Sequence, residues 1–202
     1  GHKGAFWLKA STKGVAAHGS MPRRGVNAIY KAARAVGLIE ALTLKSAPHP
    51  VLGEPTVNVG RISGGATISS VPAACEFTID LRSVPGTRHA DLLSELQGLL
   101  GPDVALDVII DLPSVWNNAT DGWTQRVRSF VAGRSGSGIA DEGATYFTDA
   151  SILQQASPAA PILILGPGEA AMAHKTDEYC IVENIRDAAE IYRGIIRLSA
   201  SR

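Results

Sequence analysis

The chain's residue pattern predicts a ferredoxin-like α+β domain followed by an incomplete α/β segment. Three observations carry that expectation. Residues 75–82 alternate with period two, Cys75, Phe77, Ile79 and Leu81 facing one way and Glu76, Thr78, Asp80 and Arg82 the other. Two helical stripes are interleaved with strand-like stretches, so that residues 5–111 read β-α-β-β-α-β, the order of a four-stranded antiparallel sheet backed by two helices. After Pro113 the alternation gives way to helices around one continuous apolar run.

Taken in order, Phe6, Leu8 and Ala10 alternate with Trp7, Lys9 and Ser11 as a strand should. A loop of small residues, Gly14 to Pro22, leads to a helix expected from Gly25, with Val26, Ile29, Tyr30, Ala33 and Val36 on one face. The stretch from Ser46 to Pro50 ends it. Val57 and Val59 mark the second strand, closed by Gly64-Gly65, and the alternating 75–82 stretch is the third. Pro85-Gly86 turns the chain into a helix striped by Leu92, Leu93, Leu96, Leu99 and Leu100. Val104, Leu106, Val108 and Ile110 form the fourth strand.

In the remainder, a helix is expected from Thr124 to Ala132, then a glycine-serine stretch, Gly133 to Gly138. A short helix covers 149–156, and Thr148-Asp149 reads as its cap. Pro161 to Leu165 reads as a strand buried on both faces, stopped by Gly166-Pro167-Gly168. A last helix, Glu183 to Leu198, would pack Ile185, Ala188, Ala189, Tyr192, Ile195 and Ile196 inward. One or two strands are too few for a doubly covered sheet, so this tail is expected to be the remainder of a larger domain.

Lys plus Arg and Asp plus Glu are 19 each, giving a net charge of zero, which argues against a nucleic-acid footprint. No apolar run is long enough for a membrane helix and no signal peptide opens the chain. The two cysteines, Cys75 and Cys180, are far apart, so a reducing, cytoplasmic setting is the expectation. Gly1-His2 resembles a tag remnant.

Several side chains are candidates for chemistry. His174 follows the glycine turn after the apolar run, where α/β sheets bind ligands, yet the position equally suits a plain loop histidine. No H-x-D, H-E-x-x-H or Glu-Glu pair accompanies it, and one histidine cannot hold zinc. His18 sits among small residues, open to a ligand or to another subunit. Arg82 ends the polar face of the best strand, where its guanidinium either grips a carboxylate or pairs with Asp80 or Glu76. Ser20, two residues from His18, has no spacing that encodes a nucleophile pair.

Taken together, the strings His2-Lys3-Gly4, Ala17-His18-Gly19-Ser20 with Pro22 and Gly25 to Ala28, Gly64-Gly65 with Val71-Pro72, Asp80-Leu81-Arg82 with Pro85-Gly86, Thr148-Asp149-Ala150, Gly166-Pro167-Gly168 and Ala173-His174 with Asp177-Glu178-Tyr179 resemble the M20 metallopeptidases. The closest likeness is to the acetylornithine deacetylase and succinyl-diaminopimelate desuccinylase branch.

The resemblance implies a dimerising lid over residues 3–112 and the C-terminal part of a catalytic α/β domain over 113–202, with the N-terminal catalytic part lacking. It implies a homodimer acting on the amide bond of a small N-acyl amino acid or short peptide, with neither nucleic acid nor membrane as partner. By resemblance, His18 reaches the partner's site to polarise the scissile carbonyl, and Arg82 binds the substrate carboxylate. Gly166 and Gly168 approach the substrate through backbone, and His174 is one zinc ligand. Ser69 stands where the family usually has Asn. Two Zn²⁺ are implied for each active site of the intact enzyme. With one ligand these residues alone are expected to bind little or no metal and to be inactive. The alternative is a non-catalytic dimerisation or binding module.

Overall fold

A computed structural model describes residues 1–118, 120–135, 143–173 and 175–200. The elements are β1 (Ala5–Lys13), β2 (Ala17–His18), α1 (Ala28–Glu40), β3 (Thr56–Gly64), β4 (Ser70–Val71), β5 (Ala74–Arg82), α2 (His89–Leu100), β6 (Val104–Leu112), α3 (Gly122–Ser135), α4 (Ala150–Ala156) and α5 (Val182–Ala200). The main sheet has the order β3-β5-β1-β6 and every neighbouring pair is antiparallel, as the ferredoxin-like reading requires. β2 and β4 pair separately, as a small arm.

The period-two pattern does what it predicts. Phe6, Leu8 and Ala10 from β1 and Cys75, Phe77, Ile79 and Leu81 from β5 are all buried under α1 and α2. Thr12 continues the β1 series and stays satisfied by donating from Oγ1 to Ala28 O at 2.9 Å.

Several expectations are corrected. α1 begins at Ala28, not Gly25, because Asn27 caps it by accepting from Ile29 N (2.9 Å) and Tyr30 N (3.2 Å). Its buried face is Ala28, Ala32, Ala35 and Ile39, while Val26 and Tyr30 are exposed. Small alanines let the helix lie close on the sheet, so the face is rotated from the one the larger residues suggest. α1 ends at Glu40, before Ser46. α3 continues through Gly133 to its end at Ser135 instead of stopping at Ala132, and 136–142 lie outside the described residues. Thr148, not Asp149, caps α4: its Oγ1 accepts from Ala150 N at 3.2 Å, and Asp149 makes no side-chain cap bond.

The expected strand 161–165 meets no strand among the described residues. Asn117 takes the place of a neighbouring strand there, its amide donating to Ile162 O and accepting from Ile162 N at 3.1 Å. α5 packs on α3, but of its expected inward face only Ala188 is buried; Ile185, Tyr192 and Ile196 are exposed.

His2 is built into the fold. It is fully buried and its backbone pairs with Val115 in both directions, at 2.8 and 3.1 Å. Its Nδ1 donates to Lys3 O at 2.6 Å, leaving Nε2 without a partner among the described residues. Burial lowers its pKa below the usual imidazole value. The unfolded chain therefore binds more protons than the folded one below about pH 6.5, and stability should fall as pH drops through that range. Melting temperatures of the 202-residue chain should decline from about pH 7.5 to about pH 5.5, and His2→Gln should flatten the decline. An unchanged slope in that variant would show that His2 is not the group responsible. Among the described residues no helix is long and apolar enough to cross a membrane.

Candidate functional site

The sheet carries its chemistry at two opposite ends. At one end, β2 and β4 pair His18 with Ser70 and Ala17 with Val71. Gly19 N donates to Ser69 O at 2.7 Å, and a Cβ on Gly19 would stand 2.9 Å from that carbonyl, so only glycine permits the approach. His18 thus faces Ser70 across the arm, while Ser69 meets the next residue, Gly19, through its backbone; His18 and Ser69 are both exposed. Ser20 does meet His18, Oγ to Nδ1 at 2.7 Å, and its backbone N–H donates to the same nitrogen at 3.2 Å. A backbone N–H can only donate, so Nδ1 is the acceptor and the neutral ring carries its proton on Nε2. His18 thus offers an N–H donor; the ring and Ser20 are bonded to one another and do not form a relay to a third group among the described residues.

At the other end, Arg82 closes β5. Its guanidinium grips Asp80 with two N–H groups, Nε to Oδ1 at 2.8 Å and Nη2 to Oδ2 at 2.9 Å. The expected pairing with Asp80 is therefore made. Trp7 Nε1 donates to the same Oδ1 at 2.8 Å. The Arg82 Cζ lies 5.7 Å from the Trp7 ring and 5.4 Å from the Phe147 ring, within cation–π range of both. Phe147 belongs to the segment leading into α4, so this cluster joins the sheet to the tail. Lys3 is nearby and buried, donating to Glu54 O at 2.5 Å. Burial lowers the Lys3 pKa, the Glu54 charge opposes that shift, and the Arg82 charge adds to it.

Immediately after Arg82, Ser83 Oγ lies 2.8 Å from His89 Nε2, and His89 Nδ1 donates to Asp111 Oδ1 at 2.6 Å. Phe6 stacks on the imidazole at 4.6 Å. In outline this is a Ser-His-Asp chain, but Ser83 is 1% exposed and no substrate reaches it. Its effect is to pin the backbone that carries Arg82, together with Gly4 N, which donates to Ser83 O at 2.9 Å.

Gly166 and Gly168 are exposed in a turn fixed from α5, where Asn184 donates to Pro167 O at 3.3 Å and Tyr192 to Leu165 O at 2.8 Å. His174 lies outside the described residues. Following it, Asp177 has a left-handed backbone, φ 62°. Among the described residues there is no group of three or more His, Cys, Asp or Glu that could hold a metal ion.

The arm and Arg82 do not converge. The arm joins the sheet where β5 begins, and Arg82 is eight residues further along, about 26 Å at ~3.3 Å per residue. Sequence reasoning missed Trp7, Phe147, Ser83 and His89 as parts of this end of the sheet. Trp7 did leave a signal, a large aromatic on the polar face of β1, but its partners are distant in sequence.

The family model for the peptidase dimerisation domain of the M20 peptidases matches residues 1–106. The acetylornithine deacetylase of Pasteurella multocida (strain Pm70) is 30% identical over 207 residues, covering 96% of this chain and 52% of that protein. That of Myxococcus xanthus is 29% identical over 211 residues, covering 100% and 54%. The chain thus spans about half the length of these curated relatives. In fold it matches the aminopeptidase PepT of Bacillus cereus ATCC 10987, with a TM-score of 0.74 at 22% identity over 96% of this chain and 52% of that one. A tripeptidase of Staphylococcus aureus subsp. aureus Mu50 gives 0.75 at 20% identity over 100% and 53%. The chain belongs to the M20 metallopeptidase and deacylase family and carries that family's dimerisation region.

Proposed function

We propose that this chain supplies the lid (3–112) and the C-terminal part of the catalytic domain (113–202) of a cytoplasmic, homodimeric, metal-dependent amidohydrolase that cleaves the amide bond of N-acyl amino acids or short peptides. The observation that carries the reading is the separation of the two candidate ends. His18 and Ser69 sit on one, and Arg82 with the tail on the other, about 26 Å away along β5. An N-acyl amino acid is too short to span that distance. Both ends serve one substrate only if they come from two copies of the chain, which supports a dimer with shared sites.

In this reading Arg82 binds the substrate carboxylate with its unused N–H edge, and Gly166 and Gly168 offer open backbone to the substrate. His18 of the other copy donates Nε2–H to the scissile carbonyl oxygen and stabilises the negative charge that develops there. Ser69, on the same exposed arm as His18, is shorter than the Asn usual in the family, so its hydroxyl offers one donor where an amide offers two. His174 is one ligand of a Zn²⁺ pair whose other ligands lie outside these 202 residues. When bound, zinc supplies a Lewis acid and an activated water. The exposed apolar face of α5, with Val182 at 61% and Ile196 at 68%, supports a further layer of protein over the tail.

A second reading for the 202 residues on their own, a pairing module without catalysis, is supported by the match of the dimerisation-domain model to residues 1–106. Incubated with Zn²⁺ and N-acetylornithine, succinyl-diaminopimelate or dipeptides, the 202-residue chain should give no turnover, whereas the complete protein should hydrolyse at least one of them. Metal-stimulated turnover by the 202-residue chain would overturn the division of the site. A complete protein inactive on all of these substrates would leave the pairing module as the function.

A further inference from the structure

We propose that Trp7, Asp80 and Phe147 are positioning residues that hold the Arg82 guanidinium so that one N–H edge stays free to grip a carboxylate, and that Phe147 makes this grip depend on the tail. The inference rests on the reading of Arg82 as the carboxylate-binding residue.

An arginine side chain has five N–H donors in a planar fork and is otherwise highly mobile. Asp80 takes two of them along one side of the fork, through Nε and Nη2. Among the described residues the opposite edge, formed by Nη1 and the second Nη2 proton, has no partner, and that edge has the geometry for a second bidentate carboxylate. Asp80 is itself held: Trp7 Nε1 donates to the same Oδ1 that receives Nε. The Trp7 and Phe147 rings meet edge-on, at 90° and 5.7 Å between centroids, and lie 5.7 and 5.4 Å from Cζ. Two rings and a carboxylate together limit where the fork can turn. Pairing with Asp80 offsets the Arg82 charge, so the free edge recognises a carboxylate through its directed pair of N–H groups. An incoming carboxylate therefore meets a fork already oriented to receive it. Trp7 and Asp80 come from the sheet and Phe147 from the tail, so the full clamp exists only when the two are packed together.

The test uses nitrogen-15 NMR of the Arg82 side chain in the 202-residue protein, assigned by loss of its signals in Arg82→Lys. A clamped fork rotates slowly about Nε–Cζ and should give two resolved Nη signals. Phe147→Leu and Asp80→Asn should each merge them, with the backbone amide spectrum of β1 and β5 unchanged, whereas Phe147→Tyr, which keeps the ring, should leave them resolved. Titration with N-acetyl-L-ornithine should shift the Nη signals, and Phe147→Leu should weaken the apparent Kd about 2- to 10-fold, the cost of ordering a rotamer-rich side chain at binding. Merged Nη signals in the unsubstituted protein, or resolved signals in both Phe147→Leu and Asp80→Asn, would overturn the clamp. Resolved signals that acetylornithine never shifts would instead overturn the carboxylate role of Arg82 while the clamp stands. Should Phe147→Leu disturb the tail, Asp80→Asn carries the test from the sheet side alone.

Discussion

Phe77→Ala is expected to destabilise the chain by about 3–5 kcal/mol, the range for removing a fully buried phenylalanine. Phe77 is 1% exposed at the middle of β5, with Ala10 of β1 and Ile62 of β3 as its cross-strand partners and α1 and α2 above it. Neighbouring side chains are fixed to a sheet hydrogen-bonded on both sides and cannot collapse into the space. The loss is a large share of the ~5–15 kcal/mol that holds a typical domain together. Ile62 makes the control. It lies opposite Phe77 but is 50% exposed on the edge strand, so Ile62→Ala should cost under about 1 kcal/mol. Urea unfolding measures both. Equal costs would contradict a core centred on β1 and β5 beneath the two helices.

Arg82→Ala in the complete enzyme is expected to lower kcat/KM by about 100-fold, ~2.7 kcal/mol, on substrates with a free carboxylate. Arg82→Lys should restore little, because an ammonium cannot pair with Asp80 and a second carboxylate from two edges at once. The same substrates with the carboxylate converted to an amide should lose much less, since the interaction removed is with that charge. An equal loss on both would mean that Arg82 acts as a staple between sheet and tail and not as a substrate contact.

The dimerisation region was legible because its signal is local. Alternation at 75–82 needs no knowledge of what packs above it, and β1 and β5 follow it residue by residue. α1 was less legible because its buried face is made largely of alanines, which a reading weighted by side-chain size passes over in favour of Tyr30 and Val26. The 161–165 run has the composition of a strand, but pairing is a property of the neighbour. Here the described partners are two side chains, Asn117 at Ile162 and Tyr192 at Leu165, 45 and 27 residues away. The clamp on Arg82 was out of reach for the same reason: Trp7 and Asp80 are 73 residues apart, and Phe147 lies beyond both. The arm carrying His18 was visible as a string of small residues, but its distance from Arg82 became evident only once strand order fixed which end of β5 each occupies.

That distance leads to the measurement that bears most directly on the shared site. In the complete enzyme, His18→Ala and Arg82→Ala should each disable both sites of a dimer. Co-expressed in equal amounts, about half of the dimers are mixed, and each mixed dimer holds one site with both residues intact, so activity should recover to about a quarter of the unsubstituted enzyme's. If the mixture stays at the level of the two separate variants, His18 and Arg82 act within one chain, and the two-copy site proposed here is wrong.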